Sequence, residues 1–277
     1  MAYKLVAMDL DETLLNDDHV VPEENLKWIR KARKDYGVRF VAATGRGFCQ
    51  IVPELKQLGI YDAKDEYTLS FNGGAITENK DNRMISWRGL SFDKMKEIFT
   101  FGLTKDVCIH VYTDTTLYVY NLSEDEKERL TKQKLGEIYP KENSVDFLKN
   151  EKIAKILFQN VNVDYLKSLE NEIMPITKGY CEISYSSNRY MEFNAKGVDK
   201  GSGLRELAEK LNISIEETIA VGDNYNDLAM LKAAGLSVAA QNAVDEVKDI
   251  CDYVTIADNN EGVIAELIRK YIYHENI

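Results

Sequence analysis

Two aspartates, Asp9 and Asp11, stand near the end of an apolar run, Lys4–Leu15 (KLVAMDLDETLL). Leu5–Met8 reads as a buried strand, and where extended geometry persists residues i and i+2 share a face, so both carboxylates point the same way. Like charges that close repel; a shared proton, a nearby lysine or arginine, or a divalent metal ion neutralises them. Three more polar clusters end apolar runs: Thr44-Gly45-Arg46 after Val38–Ala43, Asn72-Gly73-Gly74 after Tyr67–Phe71, and Asp223-Asn224-Tyr225-Asn226-Asp227 after Glu217–Val221. In an open α/β sheet, ligands bind outside the carboxyl ends of the strands, so these clusters are expected to converge on one edge. Carboxylates from Asp9, Asp11, Asp223 and Asp227, with no Cys or His among them, favour a hard, oxygen-seeking ion, Mg²⁺ above Ca²⁺ or Zn²⁺.

Such an ion beside a lysine, a hydroxyl and glycine-rich turns suits phosphate. The sequence contains neither GxxxxGK[ST] nor GxGxxG, so no nucleotide-cradling loop is indicated. A carboxylate nucleophile that forms an aspartyl-phosphate is the economical mechanism that remains.

The elements that must position these groups follow from local pattern. Pro22–Tyr36 reads as a helix, with Glu23 and Glu24 early, Lys31, Arg33 and Lys34 late, and Gly37 closing it. Strand, helix, strand order across residues 4–43 predicts a right-handed βαβ crossover, and Phe48–Leu58 reads as the next helix. From about Lys80 to Met191 the style changes to amphipathic strands. Val107–Thr113 with Leu117–Asn121, and Tyr180–Tyr185 with Tyr190–Phe193, read as antiparallel hairpins. Lys155–Asn160 reads as a further strand, with helices at Phe92–Leu103, Glu124–Lys134 and Val163–Ile173. Buried α/β style resumes with the helix Ser202–Leu211. The fold expected is α/β: a doubly wound, Rossmann-like, mainly parallel sheet from residues 1–80 and 195–277, with an inserted α+β domain at 81–194.

The whole chain resembles the haloacid dehalogenase superfamily of phosphohydrolases, and within it the Cof-type group with a large cap inserted after the third core strand. DxDxT resembles Asp9-Leu10-Asp11-Glu12-Thr13, the strand-end hydroxyl resembles Thr44, the lysine resembles Lys200 in Gly197-Val198-Asp199-Lys200-Gly201, and the fourth motif resembles Gly222–Asp227. Alone, each such residue is more often a turn former, a helix cap or a solvated lysine. Their joint order is specific.

The resemblance implies Asp9 as nucleophile, Asp11 as the acid and base for leaving group and water, and Thr44 with the Gly45 amide as phosphoryl hydrogen-bond donors. It implies Lys200 as the neutralising cation, and Mg²⁺ among Asp9, the Asp11 carbonyl and Asp223, with Asp227 as ligand or orienter. Asn226 would orient Lys200 or the phosphate, and Arg46, Asn72 and Gly73 would contact substrate. A cap closing over a site between the domains would select the leaving group. Two departures stand out: Glu12 occupies a place where the family most often has Gly, and Ala240-Gln241-Asn242-Ala243 replaces the common Gly-Asn-Ala, so Asn242 is not counted in the site. Sugar phosphates are the implied substrate class, with flavin mononucleotide or pyridoxal phosphate as further options. A phosphomannomutase-like phosphomutase and a noncatalytic ligand-binding regulator are the alternatives.

Composition bounds the partners. Across 277 residues, 35 Lys and Arg against 46 Asp and Glu give a net charge of −11, which disfavours nonspecific binding to nucleic acid or anionic membrane. No apolar leader and no run of roughly 18 uncharged apolar residues is present. Cys49, Cys108, Cys181 and Cys251 are scattered, as are His19, His110 and His274, which suggests reduced thiols and no zinc cluster or Ser-His-Asp triad. The expectation is a cytoplasmic enzyme, monomeric or weakly homo-oligomeric, acting on a small phosphorylated metabolite. The aromatics of the insertion, Tyr112, Tyr118, Tyr120, Tyr180, Tyr185, Tyr190 and Phe193, read mainly as sheet packing.

Overall fold

The computed structural model describes residues 2–133 and 136–276. The chain divides into two compact units, one of residues 1–87 and 199–277 and one of residues 88–198.

The first unit alternates strand and helix: β1 (Leu5–Met8), α1 (Glu23–Tyr36), β2 (Arg39–Ala43), α2 (Val52–Gln57), β3 (Tyr67–Ser70), β4 (Ala75–Glu78) and β5 (Arg83–Trp87). The second unit carries α3 (Phe92–Gly102), β6 (Cys108–Thr113), β7 (Leu117–Tyr120), α4 (Glu124–Gln133), β8 (Ile153–Gln159), α5 (Val163–Ser168), α6 (Glu170–Thr177), β9 (Cys181–Ser186) and β10 (Tyr190–Ala195). The chain then returns to the first with α7 (Lys200–Lys210), β11 (Thr218–Gly222), α8 (Leu228–Ala233), β12 (Leu236–Ala239), α9 (Asp245–Lys248), β13 (Tyr253–Val254) and α10 (Val263–Tyr271).

The strands of the first unit form one sheet in the order β13-β12-β11-β1-β2-β3-β4-β5, parallel from β13 through β3. Every residue of β1 is buried. Side-chain alternation along it sends Val6 and Met8 to one apolar layer, with Leu26 and Ile29 of α1 and Leu267 and Ile268 of α10, and Leu5 and Ala7 to the other, with Leu204 and Leu207 of α7 and Met230 of α8. A strand covered on both faces must be apolar throughout, which is why LVAM carries no polar alternation. Helix α1 starts after Pro22, with Glu23 and Glu24 in its first turn and Arg33 and Lys34 in its last, charges that complement the helix dipole.

Strands β4 and β5 place the division of the chain differently from the sequence expectation. The expected boundary at 80/81 puts Arg83–Trp87 in the insertion. In the structure β4 pairs antiparallel with β3, and β5 with β4, extending the parallel sheet; the units part at 87/88 and 198/199. The change to antiparallel style begins within the first unit, at the turn Phe71–Gly74, so change of style does not mark the boundary.

In the second unit the order is β7-β6-β8-β10-β9, antiparallel throughout. Ile109, Val111, Ile156, Phe158, Met191 and Phe193 pack with Met95, Ile98 and Phe99 of α3 and Leu166 of α5. The opposite face bears His110, Lys155 and Glu192, all buried, with Lys155 ion-paired to Glu192. The helix expected over Val163–Ile173 is broken at Leu169, where α5 ends and α6 begins. The helix expected to end at Lys134 is described to Gln133; Lys134 lies outside the described residues. Among the described residues no helix is long and apolar enough to cross a membrane.

Candidate active site

Because β11, β1, β2 and β3 are adjacent and parallel, the residues that follow them emerge at one edge. Asp9 directly follows β1, Thr44 follows β2, Asn72 lies two residues past β3, and Asp223 directly follows β11. Lys200 opens α7, whose preceding residue Asp199 caps the helix by accepting a hydrogen bond from the Ser202 amide (2.7 Å).

Lys200 is fully buried and donates to Asp9 Oδ1 and to Asp227 Oδ1, the latter at 2.6 Å. Burial by itself would lower the lysine's pKa, but Asp227 and Asp9 outweigh it and hold the ammonium charged. Asp9 is pushed up to about 7, first by burial and then by Asp227 and Asp11, against the pull of Lys200. Asp223 is raised well above the usual carboxylate range, again mainly by burial, with Asp9 and Asp227 adding to it. Its Oδ1 accepts from Thr13 Oγ1 at 2.6 Å.

Carboxylate oxygens of Asp9, Asp223 and Asp227 lie within 4.8 Å of one another, all three residues buried. Three buried carboxylates stand against one ammonium, a crowding that favours protonation or a bound cation, and the donor set is all oxygen. That set fits a hard divalent cation. Asp227 is the least available of the three: Oδ1 accepts from Lys200, and Oδ2 accepts from the amides of Asp223 (3.0 Å) and Asn224 (3.1 Å). It holds the lysine and the 222–227 turn in place.

Asp11 does not share Asp9's surroundings. The strand stops at Met8, and beyond Leu10 the chain bends through Glu12 at φ 62°, so the shared-face geometry expected for the pair does not persist. Asp11 Oδ2 instead lies 3.2 Å from Arg46 Nε, and Arg46 Nη1 donates to the buried Glu54 Oε1 at 3.0 Å. Asp11 Oδ1 accepts no hydrogen bond among the described residues, and His19 Nδ1 stands 3.9 Å from it. Burial alone would lower the pKa of Arg46, but Asp11 and Glu54 raise it, so it is a fixed cation tied to Asp11.

Thr44 is buried, and its Oγ1 accepts from the Arg46 amide at 3.0 Å; the Asn72 amide donates to the Thr44 carbonyl at 2.9 Å. Gly45 lies between them. Asn226 Nδ2 donates to Asn72 Oδ1 at 3.4 Å, joining the turn after β11 to the turn after β3. Gly73, at φ 84°, permits a backbone approach that a side chain would block, since a Cβ there would stand 2.5 Å from the Asp199 carbonyl oxygen. All residues singled out in the sequence thus gather at this edge. Two further residues belong here that the sequence pattern alone does not mark: Thr13, which donates to Asp223, and Asn242, which donates to the Glu12 carbonyl at 2.7 Å.

A haloacid dehalogenase-like hydrolase family model matches residues 6–268. The chain is 30% identical to the 5-amino-6-(5-phospho-D-ribitylamino)uracil phosphatase YcsE of Bacillus subtilis, over 97% of this chain and 96% of that protein. A solved haloacid dehalogenase-like hydrolase from Bacteroides thetaiotaomicron superposes with a TM-score of 0.83 at 29% identity, covering 97% and 99% of the two chains. A solved sugar phosphatase of HAD subclass IIB shares the fold, with a TM-score of 0.83 at 24% identity over 97% and 98% of the chains. The chain belongs to the haloacid dehalogenase-like hydrolases and is an enzyme, a phosphoric monoester hydrolase of that type.

Proposed function

We propose that the enzyme hydrolyses phosphate monoesters of small polyhydroxylated metabolites through an aspartyl-phosphate on Asp9. The observation that carries this reading is the buried ammonium of Lys200 held between Asp9 and Asp227, beside Asp223 and within the same strand-end cluster as Thr44. An acid held by a buried lysine has one oxygen fixed and the other left to attack. That Asp9 oxygen attacks phosphorus, the bond from phosphorus to the leaving oxygen breaks, and Asp11 delivers its proton to the leaving alkoxide. Asp11 then takes a proton from water as the water oxygen attacks phosphorus, and the bond to Asp9 breaks to release inorganic phosphate. Proton transfers of this kind are each worth roughly 10²- to 10⁴-fold. Lys200, the Thr44 hydroxyl and the Gly45 amide offset the charge on the phosphoryl oxygens.

Mg²⁺ would be held by Asp9, Asp223 and the Asp11 carbonyl, with Asp227 orienting them through Lys200, and when bound it supplies charge neutralisation between an anionic nucleophile and an anionic substrate. The unit of residues 88–198 is the part we assign to choosing the leaving group. Sugar phosphates, the phosphoribityl compound named for the Bacillus subtilis relative and flavin mononucleotide share a phosphate on a hydroxylated carbon chain. That common feature is the favoured substrate class.

A phosphate-release screen tests it, with sugar phosphates, flavin mononucleotide and pyridoxal phosphate as substrates, in Mg²⁺ and in EDTA. Free alcohol and inorganic phosphate should appear with Mg²⁺ and disappear in EDTA. Asp9→Ala should lower the rate by roughly 10³-fold or more, the scale expected when a covalent nucleophile is removed. Phosphate release that survives in Asp9→Ala refutes the mechanism, and an isomeric phosphate in place of free sugar identifies a mutase.

A further inference from the structure

The loop that follows Asp9 carries three site residues, Asp9, Asp11 and Thr13, yet it has no regular structure to hold it. Residues 10–14 include Asp11 and Glu12 with dihedral angles outside the helical range, and the Leu15 amide closes the loop on the Leu10 carbonyl at 2.9 Å. A bend of this kind leaves carbonyls outside any helix or sheet ladder, and the buried ones, those of Leu14 and Leu15, need donors from the protein. Three donors arrive from outside the loop, two of them from more than 200 residues along the chain, and all are asparagine carboxamides. Asn242 Nδ2 donates to the Glu12 carbonyl at 2.7 Å, Asn259 Nδ2 to the Leu15 carbonyl at 3.2 Å, and Asn25 Nδ2 to the Leu14 carbonyl at 3.5 Å.

The first two asparagines also bind each other: the Asn259 amide donates to Asn242 Oδ1 at 3.1 Å. Asn259 is 4% exposed, and its Nδ2 reaches Asp17 Oδ1 as well, at 3.0 Å. The segment bearing Asn242 is itself fixed beside Asp223, because the Val244 amide donates to the Asp223 carbonyl at 3.0 Å and the Ala240 amide to the Gly222 carbonyl at 3.1 Å. The backbone on one side of the site is thereby tied to the backbone on the other.

We infer that Asn242 and Asn259 form a clasp that sets the position of the Asp9–Leu15 loop relative to Asp223, and that they are positioning residues for the reaction. A carboxamide is needed because each residue must offer a donor to a loop carbonyl, and Asn242 must accept at the same time; an aspartate keeps the acceptor and loses the donor. In its kinetic consequence the inference rests on the phosphatase reading above, and in its structural content it does not.

The test uses the full chain and the variants Asn242→Ala, at an exposed position where folding is not at stake, and Asn259→Asp. Hydrogen exchange of the peptide covering residues 9–17 is followed by mass spectrometry, and hydrolysis of p-nitrophenyl phosphate with Mg²⁺ is measured on the same samples. In both variants that peptide should exchange at least roughly tenfold faster while β2 and β11 keep their protection, because opening is confined to the loop. The kcat should fall roughly tenfold with KM within about twofold, the pattern of displaced reacting groups with an intact substrate contact. Exchange unchanged in the peptide overturns the clasp, and faster exchange with unchanged kcat overturns the positioning role. If the parent chain releases no phosphate that depends on Asp9, the proposed function fails, and exchange alone decides the clasp.

Discussion

Glu12 sits in left-handed backbone between two site residues, at φ 62°, and is exposed. A side chain in that region costs about 1–2 kcal/mol, and replacing it by Gly gives back about 0.5–1 kcal/mol through the greater freedom of the unfolded chain. Glu12→Gly should therefore raise stability by about 0.5–1 kcal/mol in urea unfolding, and remove a charge that helps to raise Asp223. A loss of stability would mean that the Glu12 side chain has a stabilising role the backbone argument lacks. Legibility at this scale divides along the same line. Asp9, Thr44, Lys200 and Asp223 were readable because each is a chemically telling residue after an apolar strand or in an ordered motif. Asn259 was not, because the contact that singles it out is a hydrogen bond to the Leu15 carbonyl, 244 residues away, and an asparagine in a loop carries no local sign of that.

Helix α7 brings Lys200 to Asp9, and it can do so only because Gly201 lets it lie against α8. A Cβ on Gly201 would stand 2.2 Å from the Ala229 carbonyl oxygen and 2.5 Å from its carbon, and backbone cannot yield as a side-chain tip can. Gly201→Ala should lower stability by about 1–3 kcal/mol, the range for overpacking. It should also lower kcat, since Lys200 must shift with its helix; thermal unfolding and phosphate release read the two effects. Full activity in a stably folded Gly201→Ala chain would show that α7 can move without moving the lysine. Most elements were legible from pattern: α1, β2, β3 and the hairpin of β6 and β7 lie within a residue or two of where periodicity puts them. Strands β4 and β5 were not, because Ala75–Glu78 reverses onto β3 at the turn Phe71–Gly74, which sequence shows as a ligand-approach turn and not as a reversal, and Arg83–Trp87 then pairs with β4.

For the molecule as a whole, the acidic site is a local cost that a bound cation would remove. Without one, burial together with Asp227 and Asp11 raises Asp9 to about 7 despite Lys200, and burial with Asp9 and Asp227 raises Asp223. The native state then holds more protons than the unfolded chain between about pH 4 and pH 7, so these two groups make stability fall as pH rises through that window. Exposed acids with lowered values, such as Asp62, act in the opposite direction, so the measurement must be a difference in which they cancel. That difference is the thermal unfolding midpoint with Mg²⁺ minus the midpoint in EDTA. Binding requires the carboxylates deprotonated, so the gain should be large at pH 8, about 2.7 kcal/mol at a hundred times the dissociation constant, and should vanish near pH 5. Asp223→Asn should abolish the gain at pH 8 and leave the EDTA midpoint at that pH equal or higher, because a buried charge has been removed. A Mg²⁺ shift of equal size at both pH values, or one that persists in Asp223→Asn, would place the cation somewhere other than this carboxylate cluster.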